Sequence, residues 1–375
     1  MNASRVVDPC GRGDSCGGGR ARVVAFEAGV RFRARNARAL VRARLSFRRT
    51  MLRACSPSSD VDKVLVCFPP SGAGATCFSG PFAKAVGDSF RCVGVDIPGR
   101  PGARRREPLG FQTSVQEIAE AVARGIEDTY RDAEVALFGH SLGAWMAFEC
   151  ALALAETSSV RVSGVYVSAV RAPCLAHWLN DLDTHTPRLS TLEDSVAFWE
   201  AFDRRYGASD ELKRMRDDAL IFQSLREDFK VCESYEGTDR ALPEEIPIVA
   251  IGIRGDCRYD ESMINSWRDH GRNVRVEWFD SPDATHQHRV LLSRPEEFGA
   301  WLTREIFRAT KNWYLYLLCC LIFLLCASLH LHIGSALLGV RLFVSKLAGA
   351  TFRSPVFCRI LRETSDSLLP RFALR

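Results

Sequence analysis

The apolar positions along this chain follow two rhythms. Six short, nearly continuous apolar runs stand at 63–68 (KVLVCF), 91–96 (RCVGVD), 134–138 (EVALF), 162–168 (VSGVYVS), 247–253 (PIVAIGI) and 274–279 (VRVEWF). Their length and continuity are those of strands covered on both faces. Between them the apolar residues recur at helical spacing: 81–86 opens on a proline, 114–130 carries Val115, Ile118, Ala119, Val122 and Ile126 on one side, 144–156 is apolar almost throughout, and 295–310 closes the series. Strands alternating with helices predict an α/β fold built on a mostly parallel sheet with helices on both faces. The alternation stops between Pro173 and Pro247, where only helices are predicted. There Ser190–Glu193 (STLE) reads as a capping box, Val196, Trp199 and Phe202 follow on one face, and Leu220–Tyr235 forms a second helix. A helical insertion late in such a sheet, about 174–245, is what a lid over a site looks like.

The two ends follow neither rhythm. From Asn312 to Val340 there is no Asp, Glu, Lys or Arg, and Trp313, Tyr314 and Tyr316 stand at the start of the run. An uncharged stretch of this length can cross about 30 Å of hydrocarbon, with aromatics at the interface. The expectation is a C-terminal transmembrane helix over 312–340 and a basic tail over 341–375. The protein would then be membrane-anchored, with an intracellular or organellar catalytic domain. At the other end, 28–59 holds nine Arg and no acid, with Arg31, Arg35, Arg38, Arg42, Arg49 and Arg53 on one side of a helix. Residues 1–55 therefore read as a basic leader, disordered or organelle-targeting in the manner of a transit peptide.

Charge sharpens this division. The net +5 of the whole chain splits into +10 over 1–55, −11 over 56–308 and +6 over 309–375. A nucleic-acid binder would keep its positive charge on the folded part, so that class is excluded. The 14 cysteines are scattered without metal-ligand or disulfide-framework spacing, and read as reduced thiols.

The chemistry sits after the third run, in Gly139-His140-Ser141-Leu142-Gly143 followed directly by a helix. G-x-S-x-G in a strand–turn–helix setting exposes a serine hydroxyl at the C-terminal edge of the sheet. Such a nucleophile needs a base and an acid later in the chain. Asp256 and Asp260 follow the fifth run, and His286 and His288 follow the sixth. His140 should point away from the nucleophile as a structural residue. The oxyanion formed by attack on an acyl carbonyl needs two backbone donors. One is the N–H of Leu142. The other should come from the loop Pro69-Pro70-Ser71-Gly72-Ala73-Gly74, where Ser71 is the first residue able to donate.

These segments resemble the type II thioesterases of polyketide and nonribosomal peptide synthesis and the related acyl-carrier thioesterases. That family typically shows a Phe-Pro-His-Ala-Gly-Gly loop, a Tyr-Pro-Gly-Arg turn and a Gly-His-Ser-Met-Gly elbow. This chain has Phe68-Pro69-Pro70-Ser71-Gly72, Ile97-Pro98-Gly99-Arg100 and Gly139–Gly143, with 168–173 (SAVRAP) and 225–235 (LREDFKVCESY) like the segments that open and close the family's lid. The resemblance implies an α/β-hydrolase domain over 60–310, with Ser141 as nucleophile. Its spacing to Trp267-Arg268 prefers Asp256 as the acid. It places the base at His288, with His286 as the alternate. Pro70 and Ser71 stand where the family has His and Ala. The resemblance further implies cleavage of acyl thioesters on phosphopantetheine carrier proteins, in editing or fatty-acid release, with an acyl-loaded carrier protein as partner and neither a metal nor a dissociable cofactor. A lipid esterase or acyltransferase using the same triad is the alternative reading, and a non-catalytic acyl-binding protein a third. Arg100, Arg104, Arg105 and Arg106 are candidates for a carrier-docking patch.

Overall fold

The computed structural model describes residues 51–56, 62–87, 89–100, 102–104, 114–157, 160–207, 213–214, 216–280 and 287–308. The chain divides into two units, Met1–Phe307 and Arg308–Arg375, and the fold below is that of the first. All six predicted strands form: β2 (Lys63–Phe68), β3 (Arg91–Val95), β4 (Glu134–His140), β5 (Arg161–Ser168), β6 (Ile248–Ile253) and β7 (Val274–Phe279). A further strand, β1 (Leu52–Ala54), pairs antiparallel with β3 through Leu52↔Val95 and Ala54↔Val93. The sheet order is β1-β3-β2-β4-β5-β6-β7, parallel from β3 onward. The pattern left 51–55 in the basic leader because three residues carry too little periodicity to read. Yet Met51 is fully buried, and its carbonyl accepts the Asp96 N–H at 2.7 Å.

The continuous apolar runs have the predicted cause. In β2, Val64, Val66 and Phe68 enter one core while Leu65 and Cys67 enter the other. Residues alternate across a pleat, so a strand covered on both faces needs an apolar residue at every position. One core is closed by α2 (Val115–Tyr130) and α3 (Leu142–Thr157), the other by α1 (Pro81–Val86) and α8 (residues 295–308). The Ser114 hydroxyl caps α2 by accepting the Glu117 N–H at 3.1 Å.

Between β5 and β6 the chain forms α4 (Ser195–Tyr206) and α5 (Ala219–Glu233), joined to short 3-10 turns. After β6 come α6 (Glu261–Asn265) and, after β7, α7 (Val290–Ser293). Leu189, Phe198, Trp199, Phe202, Leu225 and Phe229 make a small core of their own. The predicted capping box at Ser190 does not form. Asp194 caps α4 instead, accepting the Ala197 N–H at 2.9 Å, while both Glu233 oxygens take the Leu189 and Ser190 N–H groups. That shift turns Val196 outward to 64% exposure, off the face it was expected to share with Trp199 and Phe202.

The expected transmembrane helix and the membrane-anchored location are corrected. Among the described residues no helix is long and apolar enough to cross a membrane. The longest, α2 and α3, have 16 residues, or about 24 Å at 1.5 Å per residue, short of the roughly 30 Å required. Both spend their apolar faces on the sheet. The stretch 312–340, the tail 341–375 and residues 1–50 lie outside the described residues.

Candidate active site

The sharp turn from β4 into α3 carries Ser141 at φ 54°. A non-glycine residue is rarely held in that region, and here the surrounding backbone enforces it. A Cβ on Gly139 would lie 2.1 Å from the Gly143 carbonyl oxygen, and one on Gly143 would lie 2.2 Å from that of Phe68. The two glycines are therefore required by close approach. The approach of Gly143 to Phe68 and Pro69 also sets the loop after β2 against the first turn of α3. The Ser141 N–H donates to the Ser168 carbonyl at 2.8 Å, fixing the turn to the end of β5.

His288 reaches this serine from the short 3-10 turn before α7. Its Nε2 lies 3.1 Å from Ser141 Oγ and its Nδ1 lies 2.9 Å from Asp256 Oδ2. The carboxylate accepts the Nδ1 proton, which leaves Nε2 free to accept from the hydroxyl. Asp256 is held in turn by the Arg258 N–H, at 2.9 Å from Oδ1. The rings of Tyr206 and Tyr259 flank the His288 imidazole at 5.5 and 5.7 Å. Asp260 is not part of this line: it caps α6, accepting the Met263 N–H at 2.9 Å. His286 lies outside the described residues.

His140 is buried beside the site. Its Nε2 donates to the His288 carbonyl at 2.8 Å, and its Nδ1 accepts from the Ser168 hydroxyl at 3.1 Å. Burial, helped by the neighbouring His288, pushes its pKa down to about 3, so the ring is neutral at ordinary pH. It is a structural contact, as expected, and it grips the main chain of the residue that faces the serine.

The loop after β2 makes a type II turn: Ala73 N–H donates to the Pro70 carbonyl at 3.1 Å, and Gly72 sits at φ 76°. Gly72 N–H donates to Asp228 Oδ2 at 2.7 Å. Among the described residues the Ser71 N–H makes no hydrogen bond. Leu142 N–H stands at the first position of α3, where helical amides have no intrahelical acceptor.

Asp228 was missed by the sequence reading. It lies on the buried face of α5 between Leu225, Phe229 and Cys232, and an acid at helical spacing within an apolar stripe is the signal that could have found it. Its partner is Arg100, whose side chain is 5% exposed against 2% for Asp228. Arg100 is thus inside the protein and not part of a docking patch. Arg104 is half exposed and bonded to Asp96 and to the Leu52 carbonyl, while Arg105 and Arg106 lie outside the described residues. Burial pushes the Asp228 carboxyl up, and Arg100 and the Gly72 N–H pull it back. A second buried network ties the start of the helical insertion: Asp181 accepts from Arg171 at 3.2 Å and from Arg258 at 2.6 Å. Burial works against the Asp181 charge, but the cations and the Asp183 N–H outweigh it and hold its carboxyl below the usual range.

Comparison with known proteins accords with this geometry. The family model of the thioesterase domain matches residues 63–290. Thioesterase PikA5 of Streptomyces venezuelae is 34% identical over 222 residues, 58% of this chain and 73% of that protein. The gramicidin S biosynthesis protein GrsT of Aneurinibacillus migulanus is 28% identical over 208 residues, 55% of this chain and 75% of that protein. Among solved structures, RedJ, a thioesterase from the prodiginine biosynthetic pathway in Streptomyces coelicolor, has a TM-score of 0.54 at 26% identity, covering 67% of this chain and 90% of its own. With the family's domain spanning well over half of its length, the chain belongs to the thioesterase-domain family, thioester hydrolases of the α/β-hydrolase superfamily.

Proposed function

We propose that Ser141, His288 and Asp256 act as nucleophile, base and orienting acid in hydrolysis of an acyl thioester carried on the phosphopantetheine arm of a carrier protein. Ser141 Oγ attacks the thioester carbonyl carbon while His288 Nε2 takes its proton. The tetrahedral oxyanion is held by the N–H groups of Leu142 and Ser71. Collapse breaks the C–S bond, and the imidazolium returns the proton to the departing thiolate. A water, deprotonated by His288, then attacks the acyl-serine, and collapse releases the carboxylic acid and restores the Ser141 hydroxyl. Asp256 keeps the proton on Nδ1 throughout and stabilises the imidazolium.

The observation that carries this reading is the unbroken line Ser141 Oγ–His288 Nε2 at 3.1 Å and His288 Nδ1–Asp256 Oδ2 at 2.9 Å. A hydroxyl, an imidazole and a carboxylate from three separate loops at one sheet edge have no packing reason to align. The carrier-bound substrate is supported by the pathways named for GrsT and RedJ. The helical insertion, with its aromatic core of Phe198, Trp199, Phe202 and Phe229, forms the lid of a domain over 60–310 and shapes the acyl site.

The test compares wild type with Ser141→Ala on acyl-pantetheine. Removing a serine nucleophile costs about 10⁶-fold in kcat in a comparable triad. Equal rates in the two proteins would sink the reading. Faster turnover of oxygen esters than of acyl-pantetheine would move the substrate to lipid esters.

A further inference from the structure

The helical insertion reaches the proposed oxyanion loop through α5. Three neighbouring residues of that helix contact the two loops that leave the C-terminal ends of β2 and β3. Ser224 Oγ donates to the Gly99 carbonyl at 3.1 Å. Leu225 lies over Gly72, so closely that a Cβ there would stand 2.4 Å from its Cδ2. Asp228 accepts the Gly72 N–H at 2.7 Å and pairs with Arg100, all of it buried.

A carboxylate in a helical lid has no need of a backbone amide in the catalytic loop if an arginine already neutralises it. The second bond has a geometric consequence. A type II turn leaves two inner amides unsatisfied by the turn itself, those of its second and third residues. In the Pro70–Ala73 turn these are Ser71 and Gly72. Asp228 consumes the Gly72 amide and so fixes the orientation of the turn, and Ser71 is left as the amide available to a ligand. Without the carboxylate the Gly72 N–H would be free to turn towards the oxyanion or towards water, and the turn could rotate.

We propose that Asp228 is a positioning residue for the oxyanion hole: by binding Gly72 N–H from the lid, it aims Ser71 N–H at the carbonyl that Ser141 attacks. The inference rests on the reading of Ser71 as an oxyanion donor. It makes lid seating and oxyanion stabilisation one event, because the same carboxylate does both. The Asp228 side chain is 2% exposed and out of a substrate's reach, so its loss acts on the transition state through Ser71 and leaves ground-state binding nearly intact.

The test uses the full-length protein with Arg100→Met as background, so that no unpaired buried arginine confuses the outcome. Asp228→Ala in that background lacks the acceptor, whereas Asp228→Asn keeps an amide oxygen for Gly72 N–H. The expected result is a kcat on acyl-pantetheine about 30- to 100-fold lower for Ala than for Asn, with KM within about 3-fold, somewhat less than outright loss of one oxyanion donor. Affinity for an alkylboronic acid, which forms a tetrahedral adduct on the serine, should fall by a similar factor. Equal kcat and equal boronate affinity for the two variants would overturn the inference. A change confined to KM would overturn it as well. If the Ala variant does not fold, amide exchange in the wild type decides. Gly72 N–H should be protected in the free protein, and Ser71 N–H only with the boronate bound. The reverse pattern refutes the proposal. Ser71→Pro separates the two levels: unchanged kcat there removes the oxyanion reading itself, whereas a lowered kcat with inert Asp228 variants removes only the role of Asp228.

Discussion

The turn that carries Ser141 and the helical insertion above it are built by opposite means. The turn is made of backbone. Ser141 is forced to φ 54° by glycine contacts with neighbouring main chain, and its N–H is tied to the Ser168 carbonyl. Those constraints come from strands β2, β4 and β5, which lie side by side in the sheet, and from the first turn of α3. The insertion is made of side chains. It has a small aromatic core, and it is fastened by buried ions: Asp181 to Arg171 and Arg258, Asp228 to Arg100, and Arg205 to Glu233 at 3.5 Å. Buried ion pairs depend on geometry for any net gain, and they fail steeply when one partner is lost. A backbone turn in a packed sheet has one conformation, whereas an element held by ion pairs has defined points of release. The difference suits the proposed function, in which the serine must stay in place while the insertion admits a carrier-bound acyl chain.

Three experiments break or sharpen that contrast. The largest effect belongs to the sheet side. Asp256→Asn should leave the fold intact and lower kcat by about 10⁴-fold, because an amide donor facing Nδ1 stabilises the wrong imidazole tautomer. Steady-state kinetics beside an unchanged thermal midpoint is the check, and a drop of less than tenfold would break the assignment.

On the insertion side, Asp181→Ala leaves two buried guanidinium groups without their carboxylate. The expected cost is about 3–5 kcal/mol of stability, read from urea unfolding. A cost below about 1 kcal/mol would mean that the aromatic core and not the ions fastens the insertion.

The smallest effect tests the joint between the two regions. His140 is held down to a pKa of about 3 in the folded protein, against about 6.5 when unfolded. Below pH 6.5 the unfolded chain therefore takes up a proton that the folded chain refuses. Stability falls as pH drops from about 6.5 towards 3, by about 2 kcal/mol between pH 7 and pH 5. His270, also lowered by burial, acts in the same direction. His140→Gln should remove about 2 kcal/mol of that slope while retaining a hydrogen-bonding group. Parallel slopes in the two proteins would show that His140 is not the titrating group.

The sheet side was also the legible side. Each of β2 to β7 was visible as a short apolar run, and the G-x-S-x-G turn announced its own geometry, because strand burial and turn sterics are encoded within a few residues. β1 escaped for want of length, and the true cap of α4 escaped because Ser190 N–H is claimed by Glu233, which lies 43 residues further on. The uncharged run at 312–340 illustrates the reverse limit. An apolar sequence states which residues avoid water and leaves open what covers them, and among the described residues that service is performed by the sheet and its helices.

The sequence alone determined the kind of fold, the position of the serine and the chain order in which an acid and a histidine must follow it. These depend on local periodicity and on a motif whose spacing has one steric solution. It left Asp256 against Asp260 to family spacing, and Arg100 it placed on the surface. Tertiary structure supplies the contacts: Asp260 caps a helix, Asp256 faces His288, and Arg100 turns inward to Asp228 on a helix 128 residues away. Charge pairing across a fold depends on distance in space, and no pattern along the chain carries that distance.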